Sequence, residues 1–470
     1  MINRRRFIQT TLGAGAAALA GSRRAFGALP ARGDFLIRDA YVMTMDRGAA
    51  GMGDIPGGSI HIRNGVIAEV GKDLKARGAT VIDGRRTIVM PGLVDTHWHM
   101  WTTYLRSMAG DKTEDGYFPV TTRYGQAMEP IDMYRSTRLA TAEAINAGIT
   151  TVSDNCHNVR SLEHALSDIL AISESGLRCR WSYGPYRGMP ADKHVDLAQL
   201  ERLQGDWSKY SNDGLISLGF MWGGLPTGPG PADALAIATK EIETARRLRL
   251  PMCSHWASKE NTPDGQVEPL AKGNFLGKDL LLIHMLATSP AEMKMVAAAG
   301  SPISVSPGSE LRIGYGRTKA CDFMDAGINV CVSVDSVPLT GNANFFGILK
   351  LMRNAENAKS FNEFRLTARR ALEMGTIDGA RALGLDDQIG SLKPGKRADL
   401  IMVRTDHLTM GVFTDPAHML VEATEEADVD TVIVDGRILK RAGKLTSLNP
   451  DQVISDAAAS LESVGKRIPT

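Results

Sequence analysis

The chain has 470 residues, which is long enough for one large domain and a smaller companion, because single hydrophobic cores rarely exceed about 250–300 residues. Lysine and arginine (54) nearly balance aspartate and glutamate (53), so no broad charge points to nucleic acid or a membrane surface as a partner. The five cysteines are dispersed and odd in number, which argues against a disulfide framework or a thiolate metal site.

The N-terminus carries adjacent arginines followed by an apolar run. Asn3-Arg4-Arg5-Arg6-Phe7-Ile8 precedes a small-residue stretch from Thr10 to Gly21, a pattern that resembles a twin-arginine signal peptide. An N-terminal helix or a membrane anchor is the alternative, but the run is short of the roughly 20 apolar residues that span a bilayer. We predict that residues 1–28 are a signal peptide and that the mature protein is periplasmic or extracellular, without stable membrane insertion.

Short strands separated by turn signals are predicted at both ends of the chain. Within residues 29–90, Ser59–Ile62 and Val66–Val70 alternate with turn pairs such as Asn64-Gly65. A similar pattern returns within residues 388–450, where Ala398–Val403 and Thr431–Val434 are predicted strands. We expect these two segments to form one small β-sandwich domain, followed by a helix and tail over residues 451–470.

Residues 91–387 alternate helix-like stretches with short apolar runs. Strands that alternate with helices over about 300 residues indicate a parallel sheet, and a (β/α)8 barrel is its natural closure at that length. An open, doubly wound sheet is the structural alternative, although no Gly-rich dinucleotide or phosphate-binding motif follows the early strands. The predicted strands include Ile149–Val152, Leu215–Leu218, Leu280–Ile283, Ile303–Val305 and Asn329–Val334.

Histidines and an aspartate stand where several of these strands end. The segment Pro91–His99 finishes with His97 and His99, which lie on the same face of a strand because side chains alternate. Such a pair alone is more often ordinary core or surface histidine than a metal site. His255, His284 and Asp335, however, each follow another predicted strand, and a barrel brings such strand ends to one rim. Imidazole and carboxylate groups gathered there are typical metal ligands.

Two segments resemble the amidohydrolase superfamily. Pro91–His99 is similar to the metal-binding first strand of that superfamily, and Gly390–Leu400 resembles the segment with which its chains re-enter their β-sandwich. The resemblance extends from Asp34 to Lys444 and is nearest to the aminohydrolases and triazine hydrolases. It implies a (β/α)8 barrel that carries a composite sandwich, and a hydrolase of small molecules.

The resemblance also implies roles for the residues at the strand ends. His97, His99, His255 and Asp335 would bind one divalent metal ion, zinc or iron, and His284 would lie beside the water or the substrate. Asp335 would act as general base, and His284 would assist it. Binuclear relatives carry a lysine after the fourth strand, and the matching stretch here has none, which favours a single metal ion.

The sequence departs from the deaminase-like members of the superfamily at one position. Those members have a glutamate three residues after the histidine of the fifth strand, and it protonates a ring nitrogen of the substrate. Here that position is Ser258, and Glu260 follows two residues later. We therefore rank hydrolysis of an amide- or urea-like carbon–nitrogen bond first, and deamination or dechlorination of an N-heteroaromatic ring second.

A non-catalytic relative that serves as a binding module is the third possibility. The expected partner is a small-molecule substrate, and a homo-oligomer is reasonable. The candidate substrate-binding residues are Trp101, His157, Ser258, Ser306 and Glu310.

Overall fold

The structure is a computed structural model that describes residues 29–46, 51–190, 192–225, 231–256, 258–260, 262 and 265–469. The expected signal peptide, residues 1–28, lies outside these ranges. The strands are β1 (Asp34–Met43), β2 (Asp54–Arg63), β3 (Val66–Gly71), β4 (Thr80–Asp83), β5 (Thr87–Pro91), β6 (Leu93–Trp98), β7 (Ile149–Cys156), β8 (Arg178–Tyr183), β9 (Ile216–Trp222), β10 (Met252–Trp256), β11 (Leu280–His284), β12 (Ile303–Val305), β13 (Val330–Val332), β14 (Leu400–Arg404), β15 (Val429–Val434), β16 (Arg437–Arg441) and β17 (Lys444–Leu445).

Helices connect most of these strands. They are α1 (Tyr117–Ala127), α2 (Pro130–Asn146), α3 (Leu162–Ser175), α4 (Leu197–Gly205), α5 (Pro231–Arg247), α6 (Val267–Lys272), α7 (Pro290–Ala299), α8 (Pro307–Arg312), α9 (Ala320–Asp325), α10 (Val337–Thr340), α11 (Phe345–Ser360), α12 (Ala368–Met374), α13 (Ile377–Ala382), α14 (Pro416–Ala423) and α15 (Pro450–Arg467). Short 3-10 helices span Met100–Leu105, Thr113–Asp115, Trp207–Lys209 and Glu426–Asp428. No helix in the described part of the chain is long and apolar enough to cross a membrane.

Strands β6 to β13 form a parallel barrel in sequence order. Its last gap is closed between the ends of β6 and β13, where the Asp335 N–H donates to the His97 carbonyl at 2.8 Å and the His99 N–H donates to the Asp335 carbonyl at 2.8 Å. This closure confirms the predicted (β/α)8 barrel and excludes the open, doubly wound sheet. It also places the metal-ligand candidates of the first and last strands side by side.

Burial on both faces explains why the barrel strands are apolar runs rather than alternating ones. All eight residues of β7 are buried, as are all of those in β6 and β11. Helices cover the outer face of a parallel sheet, and side chains fill its interior. The interior cluster is Val94, Met221, Cys253, Leu281, Ile283 and Cys331, together with residues of α13 and the loop after it.

A second sheet of nine strands is built from both ends of the chain. Strand β14 pairs antiparallel with β5, with Leu400 opposite Pro91, so the C-terminal strands join the N-terminal ones. The first half of β1 pairs with β4 and its second half with β5, which bends the sheet around its own core. That core includes Ile37, Ile60, Ile67, Val89, Leu400 and Ile433. The composite character predicted for this part is confirmed.

A buried ion pair connects the barrel to this second sheet. The Arg178 guanidinium, at the start of β8, donates to both carboxylate oxygens of Asp399, at 2.6 and 3.0 Å. Asp399 also accepts the Asp435 N–H at 2.8 Å. Nearby, Gly92 links β5 to β6 at a point where a Cβ atom would lie 2.0 Å from the Thr150 hydroxyl oxygen. The junction therefore requires glycine and a matched charge pair.

Candidate metal centre and active-site cavity

Side chains from four barrel strands meet at the C-terminal rim. His255 Nε2 lies 3.1 Å from His97 Nε2 and 3.1 Å from His99 Nε2. Asp335 Oδ1 lies 3.0 Å from His97 Nε2 and 3.6 Å from His99 Nε2. His284 completes the group, with its Nε2 3.9 Å from Asp335 Oδ2. The structure thus brings together the five residues that the sequence singled out at the strand ends.

The chemistry of these donors fits a divalent cation. His99 Nδ1 lies 2.9 Å from the Asn155 carbonyl oxygen, which can only accept, so Nδ1 carries the proton and Nε2 presents a lone pair. Burial and the neighbouring histidines lower the pKa of His99 and of His255 far below the usual value, which keeps both rings neutral. The ligand atoms of His97, His99 and His255 lie within 4.8 Å of one another, and so do those of His97, His284 and Asp335. These two groups share His97 and offer the nitrogen and oxygen ligands that zinc and iron accept.

The carboxylate of Asp335 is held in its ionised form. Burial alone would raise its pKa, but the hydrogen bond and charge of His97, the charge of His284 and the Ser309 hydroxyl lower it below the usual value. Ser309 Oγ donates to Asp335 Oδ2. The backbone of Asp335 has a φ of 65°, and that of His284 a φ of 71°, in the left-handed region that non-glycine residues rarely occupy. Such strain is characteristic of functional sites.

A carboxylate behind His284 fixes the orientation of its ring. Glu310 Oε1 lies 3.1 Å from His284 Nδ1 and also accepts the Ser306 N–H at 2.8 Å. Burial lowers the pKa of His284, but the Glu310 contact and the Asp335 charge outweigh it, so the net shift is upward. The Nε2 side of the ring therefore faces Asp335, at 3.9 Å from its Oδ2, and carries a proton when the ring is protonated.

A cavity of about 450 Å³ opens above the cluster. Its walls include aromatic rings from α1, from the end of β9 and from two loops, which suits a planar substrate. Its charged and polar lining includes Arg187, Lys193 and Glu241. The aromatic lining residues are Tyr117, Phe118, Tyr186, Trp222 and Tyr315, and the cluster contributes His99, His255, His284 and Asp335.

The five candidate substrate-binding residues occupy different places. His157 lines the cavity and accepts the indole N–H of Trp101 on Nδ1 at 3.3 Å, so Trp101 lies behind it, fully buried. Ser306 and Glu310 are also fully buried, in the layer behind His284. In the described part of the chain, Trp101, Ser306 and Glu310 are therefore not among the residues that line the cavity.

The side chains of Ser258 and Glu260, in the loop after β10, both have partners within the protein. The Ser258 hydroxyl accepts the Gln266 amide at 2.6 Å. Glu260 is turned toward the loop after α8, where its carboxylate accepts the Arg317 backbone N–H at 2.8 Å and pairs with the Arg317 guanidinium at 2.9 Å. Glu260 is therefore engaged elsewhere and does not replace the glutamate of the deaminase-like pattern.

Two cavity residues had no distinctive signal in the sequence. Arg187 belongs to the loop after β8, a strand whose own arginines obscure its apolar pattern, and its guanidinium lies 5.3 Å from the centre of the Phe118 ring. Glu241 sits within α5, where an acidic residue is ordinary. Only the packing of α5 beneath the cavity reveals that Glu241 faces inward.

The comparisons with known proteins agree with this architecture. The amidohydrolase family model matches residues 88–439. A 5'-deoxyadenosine deaminase of Methanosarcina acetivorans is 30% identical over 92% of this chain and 99% of its own length. A 5-methylthioadenosine/S-adenosylhomocysteine deaminase of Acetivibrio thermocellus is 27% identical over 93% of this chain and 99% of its own.

Solved structures share the fold at low identity. A zinc-bound adenosine deaminase from Xanthomonas campestris matches with a TM-score of 0.80 and 22% identity, over 93% of this chain and 100% of that one. A zinc complex of an atrazine chlorohydrolase from Arthrobacter aurescens matches with a TM-score of 0.78 and 22% identity, over 91% and 100%. The chain therefore belongs to the amidohydrolase family and is an enzyme, a metal-dependent hydrolase of carbon–nitrogen bonds other than peptide bonds.

Proposed function

We propose that His97, His99, His255 and Asp335 hold one zinc ion. The support is the three-nitrogen, one-carboxylate donor set, together with the zinc present in the adenosine deaminase and atrazine chlorohydrolase structures of the same fold. Iron accepts the same ligands and is the alternative. A divalent ion in such a site lowers the pKa of a water molecule to about 7 and polarises the group under attack.

The chain's own residues handle the protons of the reaction. Asp335 accepts a proton on Oδ2, the oxygen that Ser309 orients, and later delivers it to the leaving nitrogen. His284 Nε2, held toward Asp335 by Glu310 on the opposite side of the ring, donates to the oxygen that gains charge at the attacked carbon. Asp335→Asn should retain the fold and lose turnover. Unchanged turnover in that variant would contradict this assignment.

The environment of Ser258 carries the proposal about the substrate. Ser258 is hydrogen-bonded to Gln266 and Glu260 is paired with Arg317, so neither of these two residues offers a carboxyl group that could protonate a ring nitrogen. An amide or urea needs no such proton, because the attacked carbon already carries an electron-accepting oxygen. The enzyme is thus proposed to hydrolyse an amide- or urea-like bond in a small, planar molecule.

The test is a comparison of product formation by wild type, Ser258→Glu and the uncharged control Ser258→Gln. N-aryl amides, N-aryl ureas and aminopurines serve as substrates, and released amine and ammonia are measured. Wild type should act on amides or ureas, and Ser258→Glu alone should gain ammonia release from aminopurines. Efficient deamination of aminopurines by wild type would overturn the proposal.

Ring deamination remains the second candidate because of the relatives. Curated deaminases of adenosine-type compounds align with nearly the whole chain, and the aromatic cavity walls also suit a purine. If this candidate is right, wild type releases ammonia from an adenine nucleoside and shows no activity on aryl amides. The same panel therefore separates the two reactions.

We also propose that the enzyme is exported to the periplasm through the twin-arginine route. The support is the arginine pair Arg4-Arg5 ahead of the apolar run up to Gly21. Changing both arginines to lysine should leave the protein in the cytoplasmic fraction, with its N-terminus uncleaved. Export of the double variant at wild-type levels would contradict this.

A further inference from the structure

One wall of the active-site cavity is formed by a helix rather than by strand-end loops. Helix α5 contributes Ile237 and Glu241, which lie on one face because they are four residues apart. Glu241 is only 4% exposed. The cavity therefore extends from the histidine cluster past Trp222 to a buried carboxyl group on a different element.

The Glu241 carboxyl group has few protein partners. Its Oε1 accepts the Val195 N–H at 3.1 Å, and His194 Nδ1 lies 4.0 Å from the same oxygen. In the described part of the chain, no lysine or arginine nitrogen lies within 4 Å of it. The Trp222 indole N–H is close but does not meet the carboxyl group in hydrogen-bond geometry. Among the described residues, the Val195 N–H is thus the one donor that meets the Glu241 carboxyl group in hydrogen-bond geometry.

The charges of the cavity are arranged along its length. After burial, the charge of Arg187 is a further cause that lowers the pKa of His157 and of His255, so Arg187 lies toward the histidine cluster. Lys193 lies 3.7 Å from Asp192 at the surface, so its charge is partly matched there. Glu241 is an acidic group on the wall that α5 forms, and Trp222 lines the same cavity.

We propose that Glu241, with Trp222, His194 and Val195 around it, forms a subsite that binds a protonated amine on the substrate. This subsite rests on the proposed function, in which the bond to be cleaved lies at the histidine cluster. The subsite would bind the opposite end of the substrate, which would carry the protonated amine. A buried carboxylate without a counter-ion is costly, and a charge-assisted bond to an ammonium group supplies the missing donor. The burial that raises the pKa of Glu241 to about 7 reflects that cost.

Binding of two small probes tests the subsite directly. Benzylamine and its neutral analogue benzyl alcohol are titrated calorimetrically into the metal-loaded enzyme at about pH 8, where an alkylamine is still protonated. Wild type should bind benzylamine about tenfold more tightly than benzyl alcohol, as expected for one charge-assisted bond. Glu241→Gln should lose this preference, whereas the exposed Glu243→Gln on the same helix should keep it.

Equal affinity of wild type for the two probes, or a preference for the alcohol, would overturn the subsite. So would a preference that persists in Glu241→Gln. If Glu241→Gln fails to fold, the pH dependence in wild type decides: benzylamine affinity should fall as Glu241 is protonated below about pH 7, and benzyl alcohol affinity should not. The titratable groups facing Glu241 are His194, whose pKa is lowered by burial and by Lys240, and Lys193 further along the wall.

The outcome is independent of turnover, since neither probe is hydrolysed. A retained benzylamine preference with no hydrolysis of amides, ureas or aminopurines would remove the proposed function and leave the subsite. Hydrolysis without the preference would remove the subsite alone.

Discussion

The buried carboxyl group of Glu241 should lower the stability of the folded enzyme when the group is ionised. In the folded protein, burial raises the pKa of Glu241 from 4.5 to about 7. Between these two values the folded state holds a proton that the unfolded state has released. The contribution of Glu241 to the free energy of unfolding is therefore fully present below about pH 4.5 and is lost as the pH rises toward 7.

The size of the effect follows from the shift. One pKa unit corresponds to about 1.4 kcal/mol, so a shift from 4.5 to about 7 corresponds to about 3 kcal/mol as an order of magnitude. Glu241→Gln keeps the shape and an acceptor for the Val195 N–H, and removes the titration. The variant should be more stable than wild type by about 3 kcal/mol above pH 7 and by almost nothing below pH 4.5.

Denaturant unfolding at fixed zinc concentration, followed by tryptophan fluorescence at several pH values, measures this difference. Reading only the difference between variant and wild type cancels the titration of other groups. Glu243→Gln, at an exposed position on α5, is the matched control and should show no pH-dependent gain. A constant or negative difference for Glu241→Gln across the pH range would refute the reasoning.

Three other substitutions test the centre and the frame that holds it. Elemental analysis should find one equivalent of the proposed zinc ion in wild type and in His61→Ala, in β2, and none in His97→Ala. Arg178→Leu leaves the Asp399 carboxylate buried without its partner, so the free energy of unfolding measured in urea should fall by about 3–5 kcal/mol. A double variant that removes both charges should lose less stability than this single variant. Gly92→Ala should lower the melting temperature because its Cβ would overlap β7, and an unchanged melting temperature would contradict this.

The barrel and the positions of its metal-ligand candidates were accessible from the sequence for a physical reason. Strands covered on both faces are continuous apolar runs, and the residue that ends each run lies at one rim once the strands are parallel. His97, His99, His255, His284 and Asp335 obey that rule, so the pattern anticipates the cluster. The turn pairs and short strands likewise predicted a β-sandwich built from both chain ends, and in the structure the strands of both ends form one nine-stranded sheet.

The residues that line the cavity could not be predicted from the sequence in the same way. Trp101 is adjacent to the histidine motif in sequence, yet it packs behind His157 because the 3-10 helix after β6 turns it inward. Glu241 and Arg187 reach the cavity only through the packing of α5 and the path of the loop after β8. Such contacts depend on residues distant in sequence, and no local pattern records them.

The pairing of β5 with β14 also affects how the chain can fold. The barrel strands can add one after another, each against a neighbour made just before it. The second sheet cannot, because Pro91 precedes the whole barrel and its partner Leu400 follows it. Closing so long a loop is slow relative to local pairing. A nascent chain would therefore carry β1 to β5 with an open edge until synthesis is nearly finished, and a chain truncated before β14 would keep that edge exposed to pairing with other chains.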